Sequence, residues 1–519
     1  MYSRVLTASL YGLSGEPTWA EVDCENGLPA FSVVGLADQS VREARERIRA
    51  SMENCGLGFP AKRITVNLTP ANKKKEGSHY DLPVAAGILI CSLKDKILPG
   101  AADLCGGKAA CMGELTLDGR VNAVEGVLPM ILGLKRGGVD KFFIPQGCMP
   151  EAMLVKDVEL FPVSSITCLA DHITGMERIR PVKGGSAQVV PAGTDAPDFM
   201  DIKGQDHVKR AAQIAAAGMH GMLMAGPPGT GKTMIGKRIP GILPKLTYDE
   251  MLEVTQVYSA TGELKNGASL ISERPFRAPH HSVTKAALIG GGGRPRPGEI
   301  SLAHGGVLFL DEIAEFQSHI LDSLRQPLED GFVVINRLST RVTFPAKFML
   351  VAAMNPCRCG YYGDPVKQCT CTEHERRQYA GKISGPLMDR IDLHVSVQRP
   401  IYDDINIGSA KSAVSSKELR EGVENAMALQ KERYEGEGIK YNSQLNAVLL
   451  EKYCVPSAAG KKILKAAFEK WHLSARSYHR MLKLARTAAD LDGSADITEK
   501  HILEILNYRF PADLFGDRF

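Results

Sequence analysis

The sequence predicts an α/β fold: a P-loop nucleotide-binding core, a helical segment after it, and a separate α+β part before it. Three observations predict this. The octapeptide Gly226-Pro227-Pro228-Gly229-Thr230-Gly231-Lys232-Thr233 lies between an apolar strand-like run and a helical pattern. Two stretches without periodicity, 181–198 and 402–416, interrupt the chain. At about 150 residues per domain, 519 residues suggest roughly three domains. The expected parts are 1–180, 199–400 and 412–519, with 181–198, rich in Pro, Gly, Ser, Ala and Thr, as a linker.

In the first part, Phe31–Gly35 and Arg63–Leu68 are β-branched runs bounded by breakers, so each reads as a strand. Val41–Cys55 has helical spacing and stops at Gly56. In the core, Met222–Ala225 is the strand that leads into the P-loop. The loop glycines let backbone N–H groups turn inward around phosphate, and the helix N-terminus behind them favours anions. Lys232 is expected to neutralise the outer phosphates of ATP and Thr233 to ligate Mg²⁺. Such a site needs a second, acidic half at the end of a buried parallel strand. Gly306-Val307-Leu308-Phe309-Leu310-Asp311-Glu312 supplies it, with Asp311 for Mg²⁺ and Glu312 to polarise the attacking water. In the last part, Ser474 and Thr498 are expected N-caps of two successive helices.

The motifs Phe276-Arg277-Ala278-Pro279-His280-His281, Pro297–His304, Met354-Asn355-Pro356-Cys357 and Gly385–Asp392 follow in order. With the P-loop and the Asp311 strand, they give the chain its resemblance to AAA+ ATPases of the magnesium-chelatase-like group, and in particular to the ComM/YifB family. The resemblance implies a P-loop AAA+ core with a C-terminal helical lid. It gives Asn355 the role of the sensor-1 polar residue and Arg390 that of an arginine finger serving a neighbour's ATP. A salt bridge to Asp389 or Asp392 is the alternative for Arg390. Arg476 takes the sensor-2 role, with Arg480, one turn along, as the alternative. Gly204-Gln205 falls beside the adenine. A finger acting in trans implies a ring, here a homo-hexamer.

Two insertions mark this branch. The segment Arg274–Glu299 contains Arg274, Arg277, Lys285, Arg294 and Arg296 against the single acid Glu299, with glycines at 290–293. It resembles a helix-2 insert facing the ring's pore. The strand-like runs Val333–Arg337 and Arg341–Phe344 resemble a pre-sensor-1 hairpin, with Arg337 and Arg341 near its tip. Arg277, Lys285, Arg294, Arg296, Arg337 and Arg341 are candidate DNA-phosphate contacts, and intersubunit salt bridges are the equal alternative. From Lys461 to Arg486 there are eight lysines and arginines against one acid, Glu469, a larger surplus than the +4 of the whole chain.

Cys357-Arg358-Cys359 and Cys369-Thr370-Cys371 form two Cys-x-Cys pairs. Four thiolates suit a closed, structural Zn²⁺ site, the alternative being four reduced thiols in a loop. The stretch Lys75–Pro83 is similar to the segment of Lon-type proteases that bears the serine nucleophile, and Gly113–Val121 to the segment just before the lysine base, so residues 1–180 resemble the fold that these proteases share with the ribosomal S5 domain-2 family. In that resemblance Asp81 occupies the place of the nucleophilic serine and Leu128 that of the lysine, so peptidase activity is disfavoured although Ser78 lies close by.

Composition narrows the classes further. Hydrophobic residues at 44% and charged residues at 24% exclude a disordered or collagenous chain. The longest apolar run, Leu82–Cys91, is too short to span a bilayer. No export signal is evident at the N-terminus, so a cytoplasmic protein with reduced or metal-bound cysteines is expected. The expected function is an ATP- and Mg²⁺-dependent ring motor acting on single-stranded or branched DNA, by branch migration in natural transformation or recombination. A protein-remodelling or chelatase-type motor is the competing reading.

Overall fold

The computed structural model describes residues 1–35, 38–93, 100–185, 197–264, 270–292, 295–337, 340–399 and 414–509. They fall into two compact units: Met1–Pro191 with Tyr248–Ser272, and Ala192–Thr247 with Glu273–Phe519. Most of the expected linker and of the expected break at 402–416 lies outside the described residues, as does Arg294.

The first unit is built on an eight-stranded mixed sheet. Its order is Val182–Lys183, Glu159–Val163, Lys141–Pro145, Ala109–Cys111, Tyr2–Tyr11, Ser14–Glu25, Arg63–Thr69 and Ala30–Val34. Successive strand residues point to opposite faces, so the strands Tyr2–Tyr11, Ala109–Cys111 and Lys141–Pro145 each feed two cores. Val5, Ala109 and Phe143 enter one core, while Leu6, Ala110 and Phe142 enter the other. The helices Gln39–Asn54 and Asp81–Ser92 cover the first face, and Val127–Arg136 covers the second. The sequence-based division places 248–272 in the ATPase core, but the structure places it in this unit. Tyr248, Met251 and Leu252 pack on the second core, and the Tyr248 hydroxyl donates to the Leu154 carbonyl at 2.6 Å. Burying that apolar face outweighs sequence proximity to the P-loop helix.

Asp81, where the Lon-like resemblance puts a serine, is a buried structural acid. Its two oxygens accept from Arg47 Nε and Nη2 at 2.7 and 2.9 Å, and one accepts from the Leu115 amide. Burial pushes its pKa up to about 6 against the pull of Arg47. Leu128 is fully buried in the other core. The Ser78 hydroxyl donates to Glu114, and Lys75 Nζ donates to the Pro70 and Lys73 carbonyls. Among the described residues, neither Ser78 nor Asp81 hydrogen-bonds a lysine.

The second unit holds a five-stranded, wholly parallel sheet in the order Phe276–Arg277, Val307–Leu310, Met349–Met354, Met222–Ala225, Leu393–Ser396. The three central strands are buried at every position, as expected of a parallel sheet covered on both faces. A β carbon on Gly236 would lie 2.4 Å from the Phe309 ring, so this glycine lets the helix Lys232–Ile242 close onto the sheet.

Residues 414–509 form the helices Ser416–Arg433, Ala447–Tyr453, Ala458–Lys470, Ala475–Leu491 and Glu499–Leu506. Ser474 caps its helix as expected, accepting from the Ser477 amide. A buried polar chain joins these helices to the sheet. His220, just before the P-loop strand, bonds Asp392 and Thr487 at 2.8 Å each, and Asn442 donates to Thr487 and Asp490. No helix among the described residues is long and apolar enough to cross a membrane.

Candidate nucleotide site

The register of the parallel sheet assembles the site. Ala225 pairs with Met354, and Leu310 pairs with Ala352, so the chain leaves three adjacent strands at one edge. The P-loop, Asp311-Glu312 and Asn355 come directly after those three strands. This edge, outside the carboxyl ends of the strands, is where open α/β sheets bind ligands.

Within the loop, Gly229 and Gly231 have φ of 78° and 88°, which an L side chain rarely adopts. The Thr230 hydroxyl donates to the Pro227 carbonyl at 2.9 Å and holds the turn. Lys232 Nζ donates to the Gly226 and Pro227 carbonyls at 2.6 and 2.8 Å and reaches Asn355 Oδ1 at 3.3 Å. Burial brings the Lys232 pKa down to about 8, although Asp311 and Glu312 pull it upward. Above about pH 8 part of the population is neutral, and an incoming triphosphate restores the charge. ATP binding at about pH 9 is therefore expected to take up a proton, seen as binding heats that vary with buffer ionisation enthalpy. Heats independent of the buffer contradict this.

The Thr233 hydroxyl donates to Asp311 Oδ2 at 2.7 Å. A hydroxyl and a carboxylate held together at a P-loop form the hard oxygen set that Mg²⁺ takes, so these residues fit that ion. Glu312 is exposed, and its amide donates to Asp311 Oδ1. Its backbone has φ 50° in the left-handed region, a strain of about 1–3 kcal/mol for a non-glycine residue. Gln205 is left-handed too, with φ 62°, and its side-chain Nε2 donates to the Gln398 carbonyl at 2.6 Å.

The structure does not bring Arg390 or Arg476 to this edge. Arg390 precedes Leu393–Ser396, whose last residue pairs with Ala225, so it lies at the opposite edge of the sheet. The strand alone separates the two ends by about 13 Å. Arg390 Nη2 meets Glu329 at 2.5 Å, and Nη1 donates to the Pro386 carbonyl. Arg476 Nη2 meets the same Glu329 oxygen at 2.7 Å. The Arg390 ion pair thus goes to Glu329 rather than to Asp389 or Asp392. Bonds from both arginines, Arg390 first, hold the Glu329 pKa below the usual glutamate range. Arg480 turns inward and donates to the Ile391 carbonyl at 2.8 Å.

Of the basic candidates, Arg277 forms a two-pronged pair with Glu299 at 2.6 and 2.7 Å. Lys285 opens the short helix Lys285–Ile289, and Arg296 lies on the strand Arg296–Pro297; both residues are exposed. The expected hairpin is present as Phe332–Arg337 and Thr340–Pro345, with Asn336 opposite Arg341 and Arg337 opposite Thr340. Val333, Val342 and Phe344 are buried, leaving Arg341 exposed. The basic run 461–486 divides. Lys461, Lys462, Lys465 and Lys470 are exposed, whereas Lys483 donates to the Ser443 carbonyl and Arg486 is buried against Asp490. Glu329 and Glu299 are the ion-pair partners that the sequence did not assign to these arginines. Glu299 left one signal, as the single acid in a basic segment. Glu329 left none.

Comparison with known proteins adds to this geometry. Family models described as magnesium chelatase, subunit ChlI; subunit ChlI of Mg-chelatase; and magnesium chelatase, subunit ChlI C-terminal match residues 198–405, 20–148 and 413–509. The competence protein ComM of Haemophilus influenzae is 40% identical over 514 residues, covering 98% of this chain and 97% of that protein. The YifB protein of Escherichia coli is 36% identical over 517 residues, covering 98% and 97%. A magnesium-chelatase 38 kDa subunit of Acidiphilium rubrum is 25% identical over 328 residues, covering 59% and 87%.

Proposed function

Because the chain belongs to the ComM/YifB family of magnesium-chelatase-like AAA+ proteins, we propose that it is an ATP-hydrolysing ring motor that acts on branched or single-stranded DNA. The observation that carries the ATPase reading is the convergence of Lys232, Thr233, Asp311, Glu312 and Asn355 on one sheet edge.

In this reading Lys232 and the loop amides bind the phosphates. Thr233 and Asp311 would hold Mg²⁺, which supplies positive charge to the phosphate oxygens. Glu312 takes a proton from the attacking water as its oxygen bonds to the γ-phosphorus and the bond to the bridging oxygen breaks. Asn355 orients that water. Arg390 completes a neighbour's site, because its own P-loop lies across the sheet. A ring of six such subunits follows from the family resemblance.

The DNA reading rests on the relative named a competence protein and on the exposed Lys285, Arg296 and Arg341. Exposed cations on a hairpin and a glycine-bearing loop suit phosphate backbone contacts. The second reading, a chelatase-type or protein-remodelling motor, is favoured by the likeness to the magnesium-chelatase 38 kDa subunit. ATPase rates with and without forked DNA separate the two. Arg341→Ala is expected to weaken the response to DNA while leaving the DNA-free rate intact.

A further inference from the structure

We propose that Cys357, Cys359, Cys369 and Cys371 bind one zinc ion in a closed structural site, and that this site holds the sensor-1 residue Asn355 and the P-loop in hydrolytic register. The four sulfurs all lie within 4.8 Å of one another. Cys357 Sγ is 3.3 Å from Cys359 Sγ and 3.7 Å from Cys369 Sγ, and Cys359 Sγ is 3.6 Å from Cys369 Sγ. A disulfide needs about 2.05 Å, so none of these pairs is one. Four thiolates around a tetrahedral ion with Zn–S of about 2.3 Å stand about 3.8 Å apart, close to the separations seen.

The surroundings suit thiolates. The Cys359 amide points at Cys371 Sγ and the Cys371 amide at Cys369 Sγ, each at 3.4 Å. Such N–H donors stabilise sulfur charge around a metal. Four thiolates and a divalent ion leave two net negative charges. Arg376 donates to the Cys371 carbonyl and brings a compensating cation to the loop. Only Cys357 is buried; the other three are partly exposed, so the cluster is not a hydrophobic core that happens to contain sulfur. With four protein ligands no position remains open for chemistry.

The placement gives the site a purpose. Cys357 is two residues after Asn355, and the first turn of the loop packs on the P-loop. Gly360 has φ 86°, and a β carbon there would stand 2.9 Å from Pro228 Cδ and 3.9 Å from Asn355 Cγ. Asn355 in turn accepts from Lys232. Fastening Cys357 and Cys359 to Cys369 and Cys371 therefore fixes the backbone that presents Asn355. These cysteines are positioning residues, acting through Asn355 and Pro228.

The positioning half rests on the ATP-site reading and is independent of DNA, so the test uses the full chain without DNA. Metal analysis of protein purified without chelators is expected to give about one zinc per chain, and Co²⁺ reconstitution to give the spectrum of tetrahedral four-thiolate coordination. The double variant Cys369→Ser/Cys371→Ser is expected to lose the metal. Gly360→Ala leaves the ligands in place. Its β carbon, pressed against Pro228 of the P-loop, is expected to lower kcat by up to about 100-fold with zinc retained. Absence of zinc, or iron in its place, overturns the metal assignment. Zinc present with an unchanged kcat in Gly360→Ala overturns the positioning role. Zinc present in a wild-type protein without ATPase activity refutes the ATP reading and with it the positioning role, but leaves the metal assignment standing.

Discussion

Glu312→Gln is expected to bind ATP as tightly as the wild type and to hydrolyse it roughly 10²–10⁴-fold more slowly. The substitution keeps the shape of the side chain and removes only its ability to accept a proton. Asp311 and Thr233 keep their mutual hydrogen bond, and Lys232 keeps its loop partners, because none of these contacts runs through the Glu312 carboxylate. The strained backbone at Glu312 points the same way. Glu312 is held at φ 50° two residues after a fully buried strand, a conformation that costs a non-glycine residue about 1–3 kcal/mol. Nucleotide binding by fluorescence and hydrolysis under single-turnover conditions separate the two effects. Wild-type turnover in the variant removes Glu312 from the reaction.

Arg390→Ala is expected to lower ATP turnover by about 10³–10⁵-fold, the range for arginine fingers, without loss of nucleotide binding to its own chain. The sheet register supplies the reason, since it puts this arginine and the P-loop at opposite ends of neighbouring strands. Mixing two variants gives a distinctive result. In the proposed ring, Lys232→Ala chains would not bind ATP productively, and Arg390→Ala chains would not serve a neighbour. Where the two alternate, an intact P-loop faces an intact Arg390. Mixed rings are expected to regain activity that neither variant has alone. If mixing restores nothing, Arg390 acts within its own subunit or not at all.

The local chemistry of the nucleotide site was legible in the sequence because it is short-range. A strand, a glycine loop and a helix lie within about twenty residues, and an acid pair directly follows an apolar run. The parallel register then aligns those segments with no further information. The unread parts depend on contacts between distant segments. Glu329 draws in Arg390 and Arg476 from positions 61 and 147 residues away, and its own neighbours carry no pattern. The charge of Lys461–Arg486 read as one basic stretch, yet helical periodicity sends Arg480, Lys483 and Arg486 inward and leaves the lysines of Ala458–Lys470 outside. Arg277 looked like a cation for DNA, but Glu299, brought back by the fold, takes both prongs of its guanidinium. Asp81 stood out by resemblance as a displaced serine. Its ion pair with Arg47, 34 residues earlier, gives it a structural role instead.

The steady-state ATPase rate, measured with and without forked DNA at low and at moderate salt, tests the proposed DNA motor most directly. The expected result is a rate raised by forked DNA, a stimulation that weakens as salt displaces phosphate contacts, and a rate for Glu312→Gln that stays roughly 10²–10⁴-fold below the wild type with or without DNA. A rate indifferent to DNA at every salt concentration, in protein that hydrolyses ATP, contradicts the DNA motor and leaves a partner protein as its substrate.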